Sequence, residues 1–600
     1  MASSSEATSS SLPTNFEDED DKRSKSSTDG DANSLYTFLC LKKCLLKKNC
    51  GTEEYKEIGS LVEFKKLLDP VGKEMPFLQK SLFENVPPMI NFYAKGTKVA
   101  KPTKRVTSTL KWCHNTLLPI VMKNCLAGSF FKVVDQEDEW LGYWGRHMKS
   151  NSYKSLHFYQ KVNHVPGAFH IGRKDRLWQH LSEMMDRLDS DDYFVMPKTY
   201  ILPKEINQAT HYLNSNPQKK LILKPPASAR GVGIVLSTNP LDLHSKEPMV
   251  AQEYVENPLL INGAKFDLRF YVIIPSFEPL RVYLHEDGLV RFASLPYSNC
   301  PSEMGNKYIY LTNYSINKNA HSEGLSDEPV AKWKMGQFWE YMTEQFGEPK
   351  VEELKENIKD VARRAVLACE FNIREHAAKY YTSAFSGHNT FEMFGMDILI
   401  DDTLKPWLLE MNISPSLHSQ TLIDQTVKGP LAADILNMIC LNLPPNDDIP
   451  DQYTLNYCVK NNASTLSKEH IDKSLYFENN FSLYQMSSGD ILEELTDADV
   501  RMLIAFEDEY KRRGSFELLY PLGKKSEDLL CTMDSVIYAN LLLYEWTSRF
   551  QEDREQGIFL LNKICENNYH LPNMSIDGDS NEESETDGTS IEDSVAAEEL

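Results

Sequence analysis

Nowhere in its 600 residues does the chain reach the ~18–20 consecutive apolar residues that span a bilayer, and its N-terminus is Ser- and acid-rich where a secretory leader is basic and then apolar. No membrane partner is expected, and the expected compartment is the cytoplasm. The eleven cysteines are odd in number and scattered, which excludes the dense paired framework of a small secreted domain and points to reduced, mostly buried thiols. No repeat at a solenoid period occurs. A 41% hydrophobic content excludes a wholly disordered or fibrous chain.

Bases are scarce as well, and the net charge is −23. Most of that deficit lies at the ends. Residues 1–34 hold eight acids, three bases, ten serines and one aromatic, Phe16, and residues 577–600 hold ten acids and no base, so the ends together supply −15. Segments with so little apolar surface do not offset their ordering entropy, and disordered tails are expected over 1–34 and 571–600. Between them the composition marks an N-terminal extension (35–140), a motif-rich region (141–445) and a mostly helical extension (446–570). In the last of these, DADVRMLIAFEDEYKRR spaces its apolar residues for one buried face. The segment CLKKCLLKKNC, with Cys40, Cys44 and Cys50, lacks the second half of a zinc site and reads as an amphipathic helix with a basic face. Residues 146–176 are the exception to the acidity: seven Lys or Arg against one Asp, with four histidines interleaved. Nucleic acid, the other common polyanion, is not expected, because no recognition module and no strongly basic domain are present.

Three stretches carry chemistry. LILKPPASARGVGIVL (221–236) reads as strand, Gly-containing loop, strand. Gly231 and Gly233 allow backbone amides close to a phosphate, and Lys224 and Arg230 bring positive charge. In GAKFDLRFYVIIP, Lys265, Asp267 and Arg269 alternate with Phe266, Leu268 and Phe270, so on a strand the charges share one face. The run YVII marks a central strand, where those charges need partners or a ligand. RVYLHEDGLVRFAS reads as a hairpin turning at Asp287-Gly288, with Arg291 on its return strand. Finally, MDILID and WLLEMN flank the turn DTLKP; Asp397, Glu410 and Asn412 then supply two carboxylates and an amide oxygen, a hard-oxygen set suited to Mg²⁺.

In this order the stretches have the layout of an ATP-grasp ligase. The phrases KPPASARGVGI, VAQEYVENPLLINGAKFDLRFYV, YLTNYSIN, FGMDILID and WLLEMNISPSL resemble the tubulin-tyrosine-ligase-like family over about residues 140–445. NHVPGAFHIGRKDRLW and VRMLIAFEDEYKRRGSFELLYP are most similar to its glutamylase branch, the type-four tubulin polyglutamylases. The resemblance implies an α/β (α+β) fold with an ATP-grasp-type core and an ATP-dependent carboxylate–amine ligase using ATP and Mg²⁺. It implies that Lys174, Lys224 and Lys265 contact ATP phosphates and that Gln252, Tyr254 and Val255 line the adenine pocket, with Glu253 and Asp267 in the same nucleotide site. Asp397, Glu410 and Asn412 would hold magnesium, with Arg269, Arg291 and Asn313 near the reacting carboxylate. Arg173 and Arg291 are candidates to read the side-chain carboxylate of a donor glutamate. The implied partners are free L-glutamate and the acidic C-terminal tails of tubulin or microtubules, met by a monomer with a cytoskeletal or ciliary placement and guided by the basic patch at 146–176. A glycylase or other amino-acid ligase of the family, and a non-catalytic microtubule-binding adapter, stand as alternatives.

Overall fold

The computed structural model describes residues 59–571, except 71, 117, 136–138, 158, 229–230, 246, 301–302, 325–330, 382–385, 445–465 and 481–489. The expected tails, but for Leu571, and the Cys40–Cys50 helix lie outside the described residues. Three principal sheets organise the rest. The first is parallel, in the order β2–β1–β3–β4: β1 (Lys111–His114), β2 (Lys132–Val134), β3 (Gly142–Trp144) and β4 (Lys161–Val162). The second is antiparallel, in the order β5–β8–β6–β7: β5 (Thr199–Leu202), β6 (Leu221–Lys224), β7 (Val235–Ser237) and β8 (Met249–Glu253).

The third and largest sheet is built on β9 (Ala264–Phe277), a 14-residue strand buried along nearly its whole length. Along one edge β9 pairs with β10 (Leu280–His285) and β11 (Leu289–Phe292); β12 (Lys332–Lys334) continues beyond β11. Along the other edge lies β13 (Glu392–Ile400), itself paired with β14 (Pro406–Ile413). Helix α1 (Lys174–Leu188) and the 31-residue α2 (Glu348–Ala378) pack together, and α2 also lies against β9, β10 and β14.

The expected hairpin at Asp287-Gly288 is not formed. Strands β10 and β11 are two halves of one return strand, both paired with β9, and the reversal occurs at Phe277–Leu280. Asp287-Gly288 interrupts that return strand because Gly288 lies against the main chain of β9: a Cβ there would come 2.4 Å from the Arg269 carbonyl oxygen. The Asp287 carboxylate accepts the Gly288 and Met335 amides, which holds the interruption in place.

The extension after 446 adds α3 (Asp497–Lys511), α4 (Tyr538–Phe550), α5 (Arg554–Glu566) and a strand, β15 (Phe516–Tyr520), which pairs with β10 and widens the central sheet. Thr496 and Asp499 cap α3 reciprocally. One buried face is expected for this helix, yet Asp499, Glu507, Asp508 and Glu509 are buried with its apolar residues. Each acid meets a different element. Asp499 accepts from Lys473 and Tyr538, Glu507 from Arg554 and Trp546, Asp508 from Ser81 and the Leu82 amide, and Glu509 from Arg281 and Tyr283. Amphipathic spacing counts these residues as a solvated face; in the fold they are joints.

The Arg281–Glu509 pair is 5% exposed on both sides. Glu509→Ala is therefore expected to destabilise the protein by about 3–5 kcal/mol, since it leaves a buried guanidinium uncompensated. Denaturant unfolding of parent and variant checks this.

Candidate active site

The central sheet and the smaller antiparallel sheet face each other across a cavity. Its walls come from β6 and β8 on one side and from β9, β11, β13 and β14 on the other, with Lys174 at the start of α1 closing one end. Lining it are Lys174, Lys224, Gly231, Gln252, Glu253, Tyr254, Val255, Lys265, Asp267, Arg291, Asn313, Asp397 and Glu410, all singled out in the sequence. Arg269 and Asn412 do not line it but touch residues that do, and Gly233 sits between the lining residues Val232 and Ile234. Arg230 is outside the described residues. Gly231 has φ +75°, and a Cβ there would come 2.6 Å from Ile316 and 2.9 Å from Asn313 Oδ1, so the loop closes against Asn313 only as glycine.

Three lysines are buried in these walls. Lys174 Nζ lies 2.8 Å from Glu410 Oε2 and donates to the Ser228 carbonyl at 3.1 Å. Lys224 donates to Gln252 Oε1 at 2.6 Å, and Gln252 is itself fixed by donating to Thr199 Oγ1. Lys265 donates to the Tyr254 hydroxyl at 3.0 Å. These hydrogen bonds of Lys224 and Lys265 go to neutral groups. Burial, then the nearby Lys174, lowers Lys224 to about 8; burial, then Lys224, lowers Lys265 to about 7.

Cross-strand register builds the charged row. Asp267 stands opposite Arg291, Arg269 opposite Asp397, and Asp397 opposite Glu410. Arg291 donates to Asp267 through Nε at 2.8 Å and its Nη2 lies 2.7 Å from Asp397 Oδ2; Arg269 Nη2 donates to the same Oδ2 at 3.0 Å. Burial opposes ionisation of Asp397, but Arg269 and Arg291 outweigh it and hold the carboxyl well below the usual carboxylate range. For Asp267 burial wins over Arg291, and its carboxyl is raised. The Asn412 amide donates to Glu410 Oε1 at 3.0 Å and to Asp397 Oδ2 at 3.4 Å. One amide thus touches both carboxylates, through its nitrogen; as a ligand to a hard cation Asn412 would have to present Oδ1 instead, the flipped assignment of the same amide.

Residues the sequence reading missed are mostly apolar: Pro197, Ile222, Tyr310, Leu399 and Leu409 also line the cavity, as do the polar Ser228 and Thr312. Leu409 was hidden by strict alternation, which turns it away from Glu410. The register shifts between Asp397 and Ile398, so that Asp397 faces Glu410 and Ile398 faces Leu408, leaving Leu409 as a bulged residue beside Glu410 on the cavity wall.

Arg173 does not line the cavity but donates to Asp175 at 3.1 and 2.8 Å, whereas Arg291 lines it with its guanidinium engaged by Asp267 and Asp397. Within the basic stretch 146–176, Lys161 is held inward by the His388 carbonyl at 2.5 Å, Lys174 belongs to the cavity, and Arg173 and Arg176 are half-buried, which leaves Arg146, Lys149 and Lys154 as its exposed cations.

The sequence pattern of the tubulin-tyrosine ligase family matches residues 149–450. The chain is 44% identical over 499 residues to tubulin polyglutamylase ttll-4 of Caenorhabditis elegans, covering 82% of this chain and 81% of that protein. The Caenorhabditis briggsae protein of the same name is also 44% identical, over 498 residues with the same coverage. Tubulin monoglutamylase TTLL4 of Homo sapiens is 37% identical over 513 residues, 83% of this chain and 42% of the human protein.

The two depressed lysines give the cavity a proton linkage. A polyphosphate bound between them favours their charged forms, so binding near pH 8 is expected to take up protons. Calorimetric titration with ATP in buffers of different ionisation enthalpy should give buffer-dependent heats, and Lys265→Met should reduce that dependence.

Proposed function

Because the chain belongs to the tubulin-tyrosine ligase family, we propose that it is an ATP-dependent ligase that adds glutamate to glutamate side chains in the acidic C-terminal tails of tubulin. The observation that carries the reading is the convergence, in one inter-sheet cavity, of three buried lysines with the row of arginines and carboxylates.

A carboxylate is a poor acyl donor at neutral pH. The reaction therefore activates the acceptor carboxylate as an acyl phosphate at the expense of ATP, and the donor's amine then displaces phosphate. Lys174, Lys224 and Lys265 hold the polyphosphate and offset its charge as the γ-phosphoryl group moves in line. Tyr254, Ile222 and Leu399 give the base an apolar slot, and Gln252 and the main chain near Val255 offer it hydrogen-bonding partners. Asp397, Glu410 and Asn412 would hold Mg²⁺, which supplies charge neutralisation at the β- and γ-phosphates when bound. Arg269 and Arg291 fix Asp397 and set the positive potential at the acceptor end. Catalysis by such a site is chiefly positioning and electrostatics. A polyanionic tail reaches it against the enzyme's own net negative charge, with Arg146, Lys149 and Lys154 as the steering cations.

Glu410→Gln keeps shape while removing one charge. ATP-dependent incorporation of radiolabelled glutamate into tubulin should fall by orders of magnitude with the thermal transition retained. Near-normal turnover in a folded variant rejects the role. Glycine and tyrosine run beside glutamate test the donor, and equal use of glycine overturns the glutamylase assignment. For steering, Lys149→Glu with Lys154→Glu should weaken tubulin engagement and flatten the salt dependence of the rate, with ATP binding unchanged.

A further inference from the structure

Past the end of β14 lies a cluster of titratable groups that the scheme above leaves unused. Ser414 Oγ is 2.9 Å from His164 Nε2, and His164 Nδ1 is 2.8 Å from Glu392 Oε1. The other Glu392 oxygen accepts the Val165 amide at 3.0 Å. His164 and Glu392 are buried, at 1% and 0% exposure, whereas Ser414 is exposed. One tautomer satisfies every contact: Nδ1–H donates to the carboxylate, and Nε2 accepts from the serine hydroxyl.

Position gives the cluster its meaning. Leu409 and Glu410 line the cavity, and Asn412 and Ser414 follow Glu410 at i+2 and i+4, leading away from the Tyr254–Lys265 end and past Asp397. The next residue, Pro415, packs over Gly395 beside Arg269; a Cβ on Gly395 would lie 2.7 Å from Pro415 and 3.1 Å from Arg269 Nε. Ser414 does not itself line the cavity; through Pro415 it lies on the Arg269 side, the end assigned above to the acceptor carboxylate. It has φ +54°, a left-handed conformation that a non-glycine residue adopts at a cost, so the fold holds it in a strained setting.

A metal site is the rival use of this cluster, because donor atoms of His147, His164 and Glu392 lie within 4.8 Å of one another. Two observations weigh against it. Both His164 nitrogens are already hydrogen-bonded, and the His147 and His164 rings are stacked, 4.4 Å apart and 17° from parallel, which directs their lone pairs side by side and not to one point. Burial, then His164 and His376, pushes His147 down to about 3, so it stays neutral and adds no charge beside His164.

We propose that Ser414, His164 and Glu392 form a proton relay that deprotonates the α-ammonium group of the incoming amino acid. The inference rests on the ligase reading above. An ammonium group has no lone pair with which to attack; converting R–NH3⁺ and an acyl phosphate into an amide and HPO4²⁻ releases one net proton. The N–C bond forms as the C–O bond to phosphate breaks, and the phosphate oxygen keeps that electron pair. Of the two protons the nitrogen loses, one ends on phosphate. The other passes to Ser414 Oγ while Oγ gives its own proton to His164 Nε2, and Glu392 offsets the charge of the imidazolium. Ser414 is the group that meets the donor; His164 and Glu392 are positioning residues that act through it.

Hydroxylamine, uncharged at neutral pH, captures an acyl phosphate without needing a base, and glutamate does not. With tubulin and ATP, Ser414→Ala and His164→Gln should form hydroxamate at the parent rate while glutamate transfer falls by about 10²–10⁴-fold. Equal losses in both assays would mean a structural role and overturn the relay, as would unchanged glutamate transfer by Ser414→Ala. Ser414→Ala leaves the buried pair intact, so the test stands even if His164→Gln fails to fold. A parent enzyme that forms neither hydroxamate nor glutamylated tubulin would overturn the ligase reading itself, and the relay with it.

Discussion

Asp397 is held ionised inside the protein by two guanidinium groups, and much of the rest follows from that requirement. Its side chain is 3% exposed, where a lone carboxylate would protonate. Arg269 and Arg291 prevent this from neighbouring strands, and each is positioned by register: Arg269 stands opposite Asp397, and Arg291 stands opposite Asp267 and reaches across. Gly395 is needed because Pro415, with Arg269 beside it, occupies the space a Cβ would fill. Around this row, five cations, Lys174, Lys224, Lys265, Arg269 and Arg291, face four carboxylates, Glu253, Asp267, Asp397 and Glu410. Lys224 and Lys265 lower that excess by their depressed pKa values, and a polyanion would restore it.

How much of this was legible in the sequence depends on whether strict alternation holds. Lys265, Asp267 and Arg269 were readable as one face because β9 is regular there, and Asp397, Glu410 and Asn412 because two strands flank an evident turn. Leu409 was not, since a bulge breaks period two without marking the sequence. The Asp287-Gly288 misreading has a similar origin: a dipeptide that favours a tight turn serves equally where a glycine must pass close to another main chain. The partners of Arg173 and Lys161 were invisible for a different reason. A charge count over a window does not say which cations are consumed by Asp175 or a backbone carbonyl.

Helix α3 shows the opposite limit. Its apolar spacing is a sound guide to one face, but four acids on its remaining surface are buried because their partners, Lys473, Arg554, Ser81 and Arg281 among them, come from widely separated parts of the chain. Long-range compensation of this kind has no local signature. It also makes the extension part of the same framework as the cavity, since β10, which carries Arg281, is hydrogen-bonded to β9.

The pairing of β10 with β15 bears on how the chain is made. Arg281 precedes Glu509 by 228 residues, and the β10–β15 ladder spans a similar interval. During synthesis the outer edge of β10 is completed only after that interval has been translated, roughly 10–50 s at ordinary ribosomal rates. Until then it presents unpaired amides and carbonyls in a strand that is buried at every position in the finished protein. A fragment ended at residue 450, where the family pattern stops, would keep that edge open permanently. The nascent chain is thus exposed to strand-to-strand association for more than a third of its elongation.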